Sequence, residues 1–431
     1  MKAPDLLQRL IRFNTVNPPG NEGEAIAFLE GLLGEAGFEC RVFAKEPDRP
    51  NLVARLKGAE PGPNLAMISH VDTVPADPDE WSRDPWGGDL VDGYVWGRGA
   101  LDMKDQVASE TAACLALAES GWRPARGDLI LVVAADEETG AHYGAKWLCE
   151  EHPDEVRCKW VVNEGAGEMV EVEGRRLFTL AVGEKGTFRF TIRAKGVAGH
   201  GSIPAVGENA LLKLVPALEK LDRQPPREST PDTDRFLERL LGEVPDDLDE
   251  ALARVEALDP DLAKLVADPM LGVTLAPTMA SASNRENVIP SKAELVVDCR
   301  TLPGMDAADA LERIAGVIGE GDWEITFNDP VVGTRSDYEG PLAEAIEEWA
   351  AAGERDAGIL PQVMPGFSDS HWFRLAFGAT VFGFCPQSAM PLVETRPLIH
   401  SADERVAVAD VELMEDFFTW LPPRMLGSAE R

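Results

Sequence analysis

The sequence predicts an α/β domain that is interrupted by a smaller α+β domain of the ferredoxin-like type. Short apolar runs alternate with helix-like segments up to about residue 183, and strands of alternating polarity dominate from 184 to 333. The first pattern then returns and continues to residue 431. Alternation of strands and helices is typical of a sheet covered by helices. We therefore expect one discontinuous domain, 1–183 and 334–431, with residues 184–333 inserted into it.

Four short apolar runs in the first part of the chain are interpreted as strands. They are NLVARL at 51–56, NLAMISH at 64–70, LILVVAA at 129–135 and KWVVNEG at 159–165. Before the third run, the segment 102–120 has the length and apolar spacing of a helix, with Asp102 near its start. This order predicts strands and helices of one α/β layer structure.

The middle part of the chain has a different order of elements. The stretch TFRFTIRAKG at 187–196 alternates apolar and polar residues, as a half-buried strand does. The segments that follow are a helix at about 207–222, strands at 270–281 and 293–300, a helix at about 306–319 and a strand at 323–329. The order β-α-β-β-α-β is that of a ferredoxin-like sandwich. An acidic, helix-rich insertion at about 223–268 interrupts it, and helices at about 340–352 and 408–421 complete the first domain.

The composition is that of a globular protein with a strongly acidic surface. The 431 residues are 44% hydrophobic and 27% charged, and this length predicts two or three domains. Because 41 basic residues face 75 acidic ones, the net charge is −34, which argues against nucleic acid or an anionic membrane as a partner. A solvated acidic surface, suited to high salt, is the simpler explanation of this charge. Attraction of cationic substrates is the alternative.

Neither the N-terminus nor the cysteines indicate secretion. No apolar run approaches the ~20 residues that cross a bilayer. The start, MKAPDLLQRLIRF, has the pattern of a short amphipathic helix without a signal-peptide core, so we expect a cytoplasmic protein. The six cysteines include no Cys-x-x-Cys pair, which disfavours a disulfide framework or a thiolate zinc site and favours small buried side chains.

Three of the apolar runs end in side chains that can bind metal ions. His70 ends the second run, Glu137 and Glu138 follow the third, and Glu164 follows the fourth. Open α/β sheets bind ligands at the carboxyl ends of their strands. Asp102, after the glycine-rich GRGALD, is a further candidate, and a plain helix N-cap is the alternative reading of this residue.

Histidines supply the remaining candidate ligands. His70 and His400 each lie near acidic residues that could orient an imidazole, and His200 lies between glycines in VAGHGSIP. A structural or surface role is the simpler interpretation of His142 and His152. His371 is ambiguous, since its sequence context fits either a structural or a functional role. Two histidines and three or four carboxylates fit zinc or a similar divalent ion. Two metals bridged by a carboxylate use that many ligands more naturally than one metal does.

The chain resembles a known family in seven motifs taken together: SHVDTVP, GRGALDMK, DEETG, NEG, GHGSIP, DCR and IHSADERV. They resemble the co-catalytic zinc aminoacylase and carboxypeptidase family (peptidase family M20, clan MH), which includes acetylornithine deacetylases, succinyl-diaminopimelate desuccinylases and dipeptidases. The resemblance covers nearly the whole chain in the family's order and spacing. It implies a zinc-peptidase-like α/β catalytic domain, an inserted lid or dimerisation domain, a homodimer, and two Zn²⁺ or Co²⁺ ions per subunit.

The resemblance also implies the residues that bind the metals. The implied ligands are His70 and Glu164 for one ion, Glu138 and His400 for the other, and Asp102 between the two. These five positions are the same side chains that end the apolar runs or lie in the GRGALD and IHSADERV motifs.

Other roles follow from the same resemblance. Glu137 would act as the general base, Asp72 would orient the imidazole of His70, and His200 would stabilise the oxyanion. In dimeric relatives the corresponding histidine acts across the subunit interface. The implied substrate-binding positions are Asn287, Arg300 and His371. The last of these stands where many relatives have Arg, so it bears on which substrate is held.

The implied activity is hydrolysis of an amide bond next to an amino-acid carboxylate, in an N-acyl amino acid or a short peptide. A Glu beside a dimetal centre can take the proton of the attacking water and pass it to the departing amine. A non-catalytic scaffold of the same fold is the alternative, which the presence of all five ligand positions and the base disfavours. A phosphoesterase is disfavoured because the sequence has no phosphate-binding glycine loop or Arg cluster near the site.

Overall fold

The computed structural model describes residues 1–429, in which helices and strands alternate along the chain. The strands are β1 (Glu39–Ala44), β2 (Pro50–Leu56), β3 (Leu65–His70), β4 (Asp89–Val91), β5 (Tyr94–Trp96), β6 (Leu129–Ala134), β7 (Trp160–Asn163), β8 (Met169–Val172), β9 (Arg175–Glu184), β10 (Gly186–Thr187), β11 (Phe190–Lys195), β12 (Gly199–His200), β13 (Thr274–Ser281), β14 (Val288–Ile289), β15 (Lys292–Thr301), β16 (Glu324–Phe327), β17 (Ala357–Met364), β18 (Thr380–Gly383) and β19 (Arg405–Ala407). The α-helices are α1 (Ala3–Ile11), α2 (Gly23–Glu35), α3 (Lys104–Glu119), α4 (Ala145–Glu151), α5 (Pro153–Val156), α6 (Ala210–Lys220), α7 (Pro231–Leu241), α8 (Leu248–Leu258), α9 (Pro260–Leu262), α10 (Asp268–Met270), α11 (Ala307–Ile318), α12 (Pro341–Ala351), α13 (Ser370–Phe377), α14 (Leu392–Leu398) and α15 (Val408–Leu426).

The described residues form two compact units. The first consists of Met1–Val182, Ser336–Gln362 and the segment that begins at Ser368. The second consists of Gly183–Arg335 and Val363–Phe367. Catalytic and lid roles for these units remain predictions.

A nine-stranded mixed sheet forms the centre of the first unit. Its strand order is β1-β2-β6-β3-β7-β18-β9-β17, with β8 paired to β9. The neighbours β6, β3, β7 and β18 run parallel to one another, whereas β2 is antiparallel to β6. The four apolar runs of the sequence are therefore confirmed as strands, namely β2, β3, β6 and β7. Because parallel strands point the same way, the carboxyl ends of β3, β6 and β7 meet at one edge of the sheet.

The core of the first unit explains why these strands read as continuous apolar runs. Every residue of β3 and of β6 is buried, as is usual for parallel strands covered on both faces. Aromatic rings extend this core between the sheet and two helices: the ring centroids of Trp349 in α12 and Phe417 in α15 are 5.1 Å apart, and those of Phe384 and Phe417 are 4.9 Å apart. Each such side chain contributes about 1.5–3 kcal/mol through burial.

The second unit contains an antiparallel sheet covered by two helices. The strand order β13-β15-β11-β16, read in chain order as 2-3-1-4, is that of the predicted ferredoxin-like sandwich. Its core includes Leu214 of α6 and Ile314 of α11, together with Phe190 and Ile192 of β11. The helices α7 and α8 fall within the predicted insertion at about 223–268. The α/β fold class with an inserted α+β domain is confirmed.

Three further observations bear on the sequence analysis. The helix predicted at 102–120 begins at Lys104 with Met103 as its N-cap, so Asp102 lies outside it and is not a helix cap. All six cysteines are free, and four of them are buried. Among residues 1–429, no helix is long and apolar enough to cross a membrane.

Candidate metal centre

Three strand ends bring the predicted ligands together in the first unit. His70 is the last residue of β3, and its strand partner Ala134 is the last residue of β6. A short 3₁₀ turn, Glu137–Thr139, follows β6, and Glu164 comes directly after β7. The three strands are almost wholly buried and hydrogen-bonded to one another, so they fix where these side chains begin.

The candidate ligands form two groups that share Asp102. One group is His70, Asp102 and Glu164, and the other is Asp102, Glu138 and His400; within each, the ligand atoms lie within 4.8 Å of one another. Asp102 Oδ1 is 3.2 Å from His70 Nε2, and Asp102 Oδ2 is 3.0 Å from His400 Nε2. Its two carboxylate oxygens thus face different histidines, as a bridging carboxylate requires.

The remaining distances fit divalent metal ions. Nε2 of His70 is 3.9 Å from Oε1 of Glu164, and Nε2 of His400 is 3.3 Å from Oε2 of Glu138. In a tetrahedral site with bonds of about 2.0–2.1 Å, neighbouring ligand atoms are about 3.3 Å apart. Nε2 of His70 and Oε1 of Glu138 are buried and form no hydrogen bond within the described residues. Buried polar atoms normally have a partner, so these two fit metal ligation.

In the two ligand groups, several carboxylates crowd around the imidazoles of His70 and His400, and this crowding shifts the pKa values of these side chains. Hydrogen bonding to Asp102, and then to Glu138, raises the pKa of His400 to about 10. Burial raises the pKa of Glu164 to about 8, and the carboxylate of Asp102 adds to the effect. Burial alone would lower the pKa of His70, but the neighbouring carboxylates of Asp102 and Asp72 outweigh it and raise that pKa well above its usual value. Cations are therefore favoured here.

Glu137 lies beside the two groups without belonging to either. Burial raises its pKa well above the usual value, and the nearby carboxylate of Glu164 raises it further. A buried carboxyl group with a raised pKa suits general acid–base chemistry.

Asp72 is linked both to His70 and to the turn after β6. Its Oδ1 lies 3.4 Å from Nδ1 of His70, and its side chain is fully buried. The backbone N–H groups of Glu137 and Glu138 donate to its two carboxylate oxygens, at 3.2 and 3.3 Å.

His400 does not use the acidic residues that follow it in the sequence. Its contacts are to Asp102 and Glu138, whereas Asp403 accepts hydrogen bonds from Ser82. Glu404 Oε1 accepts from the backbone N–H groups of Leu101 and Asp102, at 2.7 and 3.1 Å. The expectation that these acids orient His400 is therefore wrong; Glu404 instead holds the loop that carries Asp102.

The other sequence-predicted residues are not members of the two ligand groups. His371 is buried in α13 of the first unit, with its ring against Trp372 at a centroid distance of 4.7 Å. In the second unit, the exposed His200 accepts hydrogen bonds at Nδ1 from Ser202, and the backbone carbonyl of Asn287 accepts from Gly201 N. Arg300 Nε donates to Asp298 Oδ1 at 2.7 Å, which fixes the plane of its guanidinium.

The sequence analysis missed a carboxylate next to this centre. Asp369 is buried, its Oδ1 forms no hydrogen bond within residues 1–429, and burial raises its pKa to about 7. It contributes to the raised pKa of Glu137, so the two acids are close. Asp369 lies two residues before His371 in the sequence, and its spacing gives no signal of a site.

The fold and the two groups of candidate ligands fit a metal-dependent hydrolase of the dinuclear type. The model of Peptidase family M20/M25/M40 matches residues 66–420, and the chain belongs to this family. A succinyl-diaminopimelate desuccinylase of Cereibacter sphaeroides is 29% identical over 432 aligned positions, which cover 95% of this chain and 97% of that protein. The resemblance inferred from the motifs is confirmed, and the protein is an M20 family metallohydrolase.

Solved structures of the same family share the fold. An M20 family metallo-carboxypeptidase from Sulfolobus solfataricus superimposes with a TM-score of 0.73 at 16% identity, covering 99% of both chains. A dinuclear metal binding peptidase of the M20 family from Bacillus subtilis superimposes with a TM-score of 0.58 at 15% identity, covering 99% of this chain and 98% of that one.

Proposed function

We propose that this protein is a dimetal hydrolase that cleaves the amide bond of an N-acyl amino acid, or of a short peptide, next to a free carboxylate. One observation carries the proposal: two groups of candidate ligands share Asp102, and Glu137 lies beside them with a raised pKa. The proposed ions are zinc or cobalt. Their proposed ligands are His70 and Glu164 on one side, Glu138 and His400 on the other, and Asp102 between them.

Glu137 is the proposed general base. A bound pair of divalent ions would lower the pKa of water towards about 7 and polarise the scissile carbonyl. The Glu137 carboxylate takes a proton from the attacking water and gives it to the nitrogen of the departing amine. Its raised pKa suits this role, because the group must hold the proton between the two transfers.

Substrate recognition is assigned to residues outside the ligand groups. In the proposal His200 donates a hydrogen bond to the developing oxyanion. Asn287 and Arg300 hold the carboxylate of the substrate, and the contact of Arg300 with Asp298 orients its guanidinium for that purpose. His371 takes the place of an arginine found in many relatives.

Deacylation is tested first and peptide cleavage second. The relative named as a desuccinylase is similar along nearly the whole chain, whereas the solved peptidases share only the fold. N-succinyl and N-acetyl amino acids are therefore the first substrates to try. A cytoplasmic location, and the exclusion of nucleic acid as a partner, remain predictions from the sequence.

A homodimer is the proposed assembly, formed through the second unit. In that unit β13 pairs with no strand other than β15 among the described residues. The side chain of Gln224 covers the outer edge of β13 at Leu275, and the edge beyond it is open to a further strand. Met279 on β13 is 67% exposed and Leu212 on α6 is 65% exposed, which places large apolar side chains on the surface of the same unit. Light scattering of the wild type and of Leu212→Glu tests this; a monomeric wild type would contradict it.

The activity is tested by a screen of N-acyl amino acids and dipeptides with added zinc or cobalt, reading out free amine. Turnover should depend on metal, and Glu137→Gln should lower kcat by about 10²–10⁴-fold while the bound metal is retained. Glu151→Gln, a change at an exposed carboxylate in the same unit, is the matched control. Ordinary activity of Glu137→Gln would show that another residue is the base.

A further inference from the structure

A buried polar network lies behind the turn that carries Glu137 and Glu138. Its centre is Asp136, which is 1% exposed and adopts the left-handed conformation, with a φ of 68°. Aspartate adopts this conformation more readily than most residues. The change of direction at Asp136 takes the chain out of β6 and into the 3₁₀ turn, so the two glutamates depend on how this residue is held.

The carboxylate of Asp136 is fully engaged by protein donors. Its Oδ1 accepts hydrogen bonds from Asn17 Nδ2 and from a terminal nitrogen of Arg49, both at 3.1 Å, and from the hydroxyl of Thr139. Its Oδ2 accepts from the backbone N–H of Tyr143 at 3.1 Å. Asp136 is therefore a hydrogen-bonded turn residue and not a third metal-binding acid of this segment.

Arg49 links Asp136 to a second buried acid. Its Nε lies 3.1 and 3.0 Å from the two oxygens of Glu22, and a terminal nitrogen is 2.9 Å from Glu22 Oε1. The Glu22 side chain has no exposed surface, and that of Arg49 is 9% exposed. Gly20 makes room for this pair: a Cβ there would lie 2.1 Å from Arg49 Nε. A bidentate guanidinium held so tightly cannot change its direction towards Asp136.

Asn17 connects Asp136 to the acid that contacts His70. Its Nδ2 donates to Asp72 Oδ2 at 2.8 Å as well as to Asp136, and the residue is 3% exposed. Asp72 in turn accepts from the backbone of the turn after β6. The network therefore runs without a break from Glu22 to the turn of Glu137 and Glu138, and to Asp72, which contacts His70.

We propose that Arg49 and Asn17 are positioning residues, which through Asp136 and Asp72 fix the turn of Glu137 and Glu138 relative to His70. This inference rests on the proposed function, because it takes Glu137 as the base and Glu138 as a ligand. Groups that orient metal ligands typically affect metal affinity or activity by about 10–100-fold when they are replaced. A displacement of about 1 Å at a reacting group can cost about 10²-fold in rate.

The same strand pair supplies a matched control. Arg49 precedes β2 and contacts the acid after β6, whereas Arg55, near the other end of β2, contacts Asp128, just before β6. Arg55 donates to Asp128 Oδ2 at 2.6 Å and to the carbonyl of Glu155 at 2.7 Å. Both arginines pair with an aspartate beside β6, but only the first is connected to the ligands.

The test compares Arg49→Met, Asn17→Ala and Arg55→Met in the cobalt-loaded protein. We expect Arg49→Met and Asn17→Ala to change the visible absorption of bound Co²⁺ and to lower kcat by about tenfold or more with KM changed less than about threefold. Arg55→Met should lower the melting temperature while leaving the cobalt spectrum and kcat as in the wild type. Arg49→Lys, which keeps the charge, should recover part of the loss.

The inference would be overturned if Arg49→Met and Asn17→Ala kept the cobalt spectrum and kcat of the wild type while the melting temperature fell in all three variants. The network would then have a purely structural role. If Arg49→Met does not fold, the Asn17→Ala result decides, since that change leaves no unpaired charge. The cobalt spectrum needs no substrate. A changed spectrum together with an active Glu137→Gln would therefore refute the assignment of the base and leave the positioning role standing.

Discussion

The two ends of the parallel strands in the first unit are built differently. At the amino end, Asp128 accepts hydrogen bonds from Arg55 at 2.6 Å and from the backbone N–H of Gly58 at 3.0 Å. At the carboxyl end, candidate ligands crowd within 4.8 Å of one another, and buried atoms of His70 and Glu138 form no hydrogen bond within the described residues. At the amino end the carboxylate of Asp128 is matched by hydrogen-bond donors. At the carboxyl end there are more carboxylates than hydrogen-bond donors to pair with them.

We therefore expect side chains at the amino end of the strands to affect stability, and those at the carboxyl end to affect function. A buried carboxylate without a partner costs folding free energy, so it persists only where another constraint requires it. A matched pair such as Arg55 and Asp128 can be lost with an effect on stability alone. Changes at the carboxyl end should act first on metal binding and turnover.

The largest expected effect is that of Asp102→Asn. The amide cannot bridge two cations as a carboxylate does, so both ligand groups are weakened at once. We expect kcat/KM to fall by about 10³-fold or more, which corresponds to about 4 kcal/mol of transition-state stabilisation. Steady-state kinetics and elemental analysis of the same sample measure both consequences. Full metal content with ordinary activity would exclude a bridging role.

Metal removal should lower the stability of the protein as well as its activity. A ligand that binds only the native state adds about 2.7 kcal/mol to the free energy of unfolding at 100 times its dissociation constant. Chelation of the wild type should therefore lower the thermal midpoint, and added zinc should restore it. The same treatment of Asp102→Asn should give a smaller shift. An unchanged midpoint in the wild type would mean that the crowded acids do not bind the ion.

An effect on stability that depends on pH is expected from a buried acid behind β3. Burial raises the pKa of Glu110 to about 8, although hydrogen bonds with Gln106 and Ser69 lower it in part. In the unfolded chain this pKa is about 4.3, so the folded protein binds the extra proton between these values. Its contribution to stability is complete below about pH 4.3 and is lost as the pH rises through 8.

Glu110→Gln should remove this dependence on pH. The amide resembles the protonated acid in shape and carries no charge, so the variant should lose less stability than the wild type between pH 5 and 8. The difference should amount to at most about 4 kcal/mol. Denaturant unfolding of both proteins at several pH values in this range measures it. Parallel curves for the two proteins would show that Glu110 is ionised in the folded state.

The sequence predicted the parts of the centre that depend on local pattern. Apolar runs identified β3, β6 and β7, and parallel strands bring the residues at their carboxyl ends together whatever the loops do. His70, Glu138 and Glu164 are therefore found where the pattern placed them. The ferredoxin-like order of the second unit follows from the same kind of signal.

The sequence could not predict the residues that support the candidate ligands, because their hydrogen-bond partners are distant in sequence. Asn17 and Arg49 meet Asp136 across 119 and 87 positions, and nothing in their own stretches indicates an acid to contact. The left-handed backbone of Asp136 is likewise a consequence of tertiary contacts, which local propensity does not record. Glu404 lies four residues after His400 in sequence, but its hydrogen bonds connect it to the loop of Asp102.

The most direct test of the account is the metal content of three proteins after dialysis: the wild type, Glu137→Gln and Glu138→Gln. The account predicts two divalent ions per chain in the wild type and in Glu137→Gln, and fewer in Glu138→Gln, because only the last change removes a proposed ligand. A wild type that binds one ion or none, or a Glu137→Gln variant that loses an ion, would contradict it.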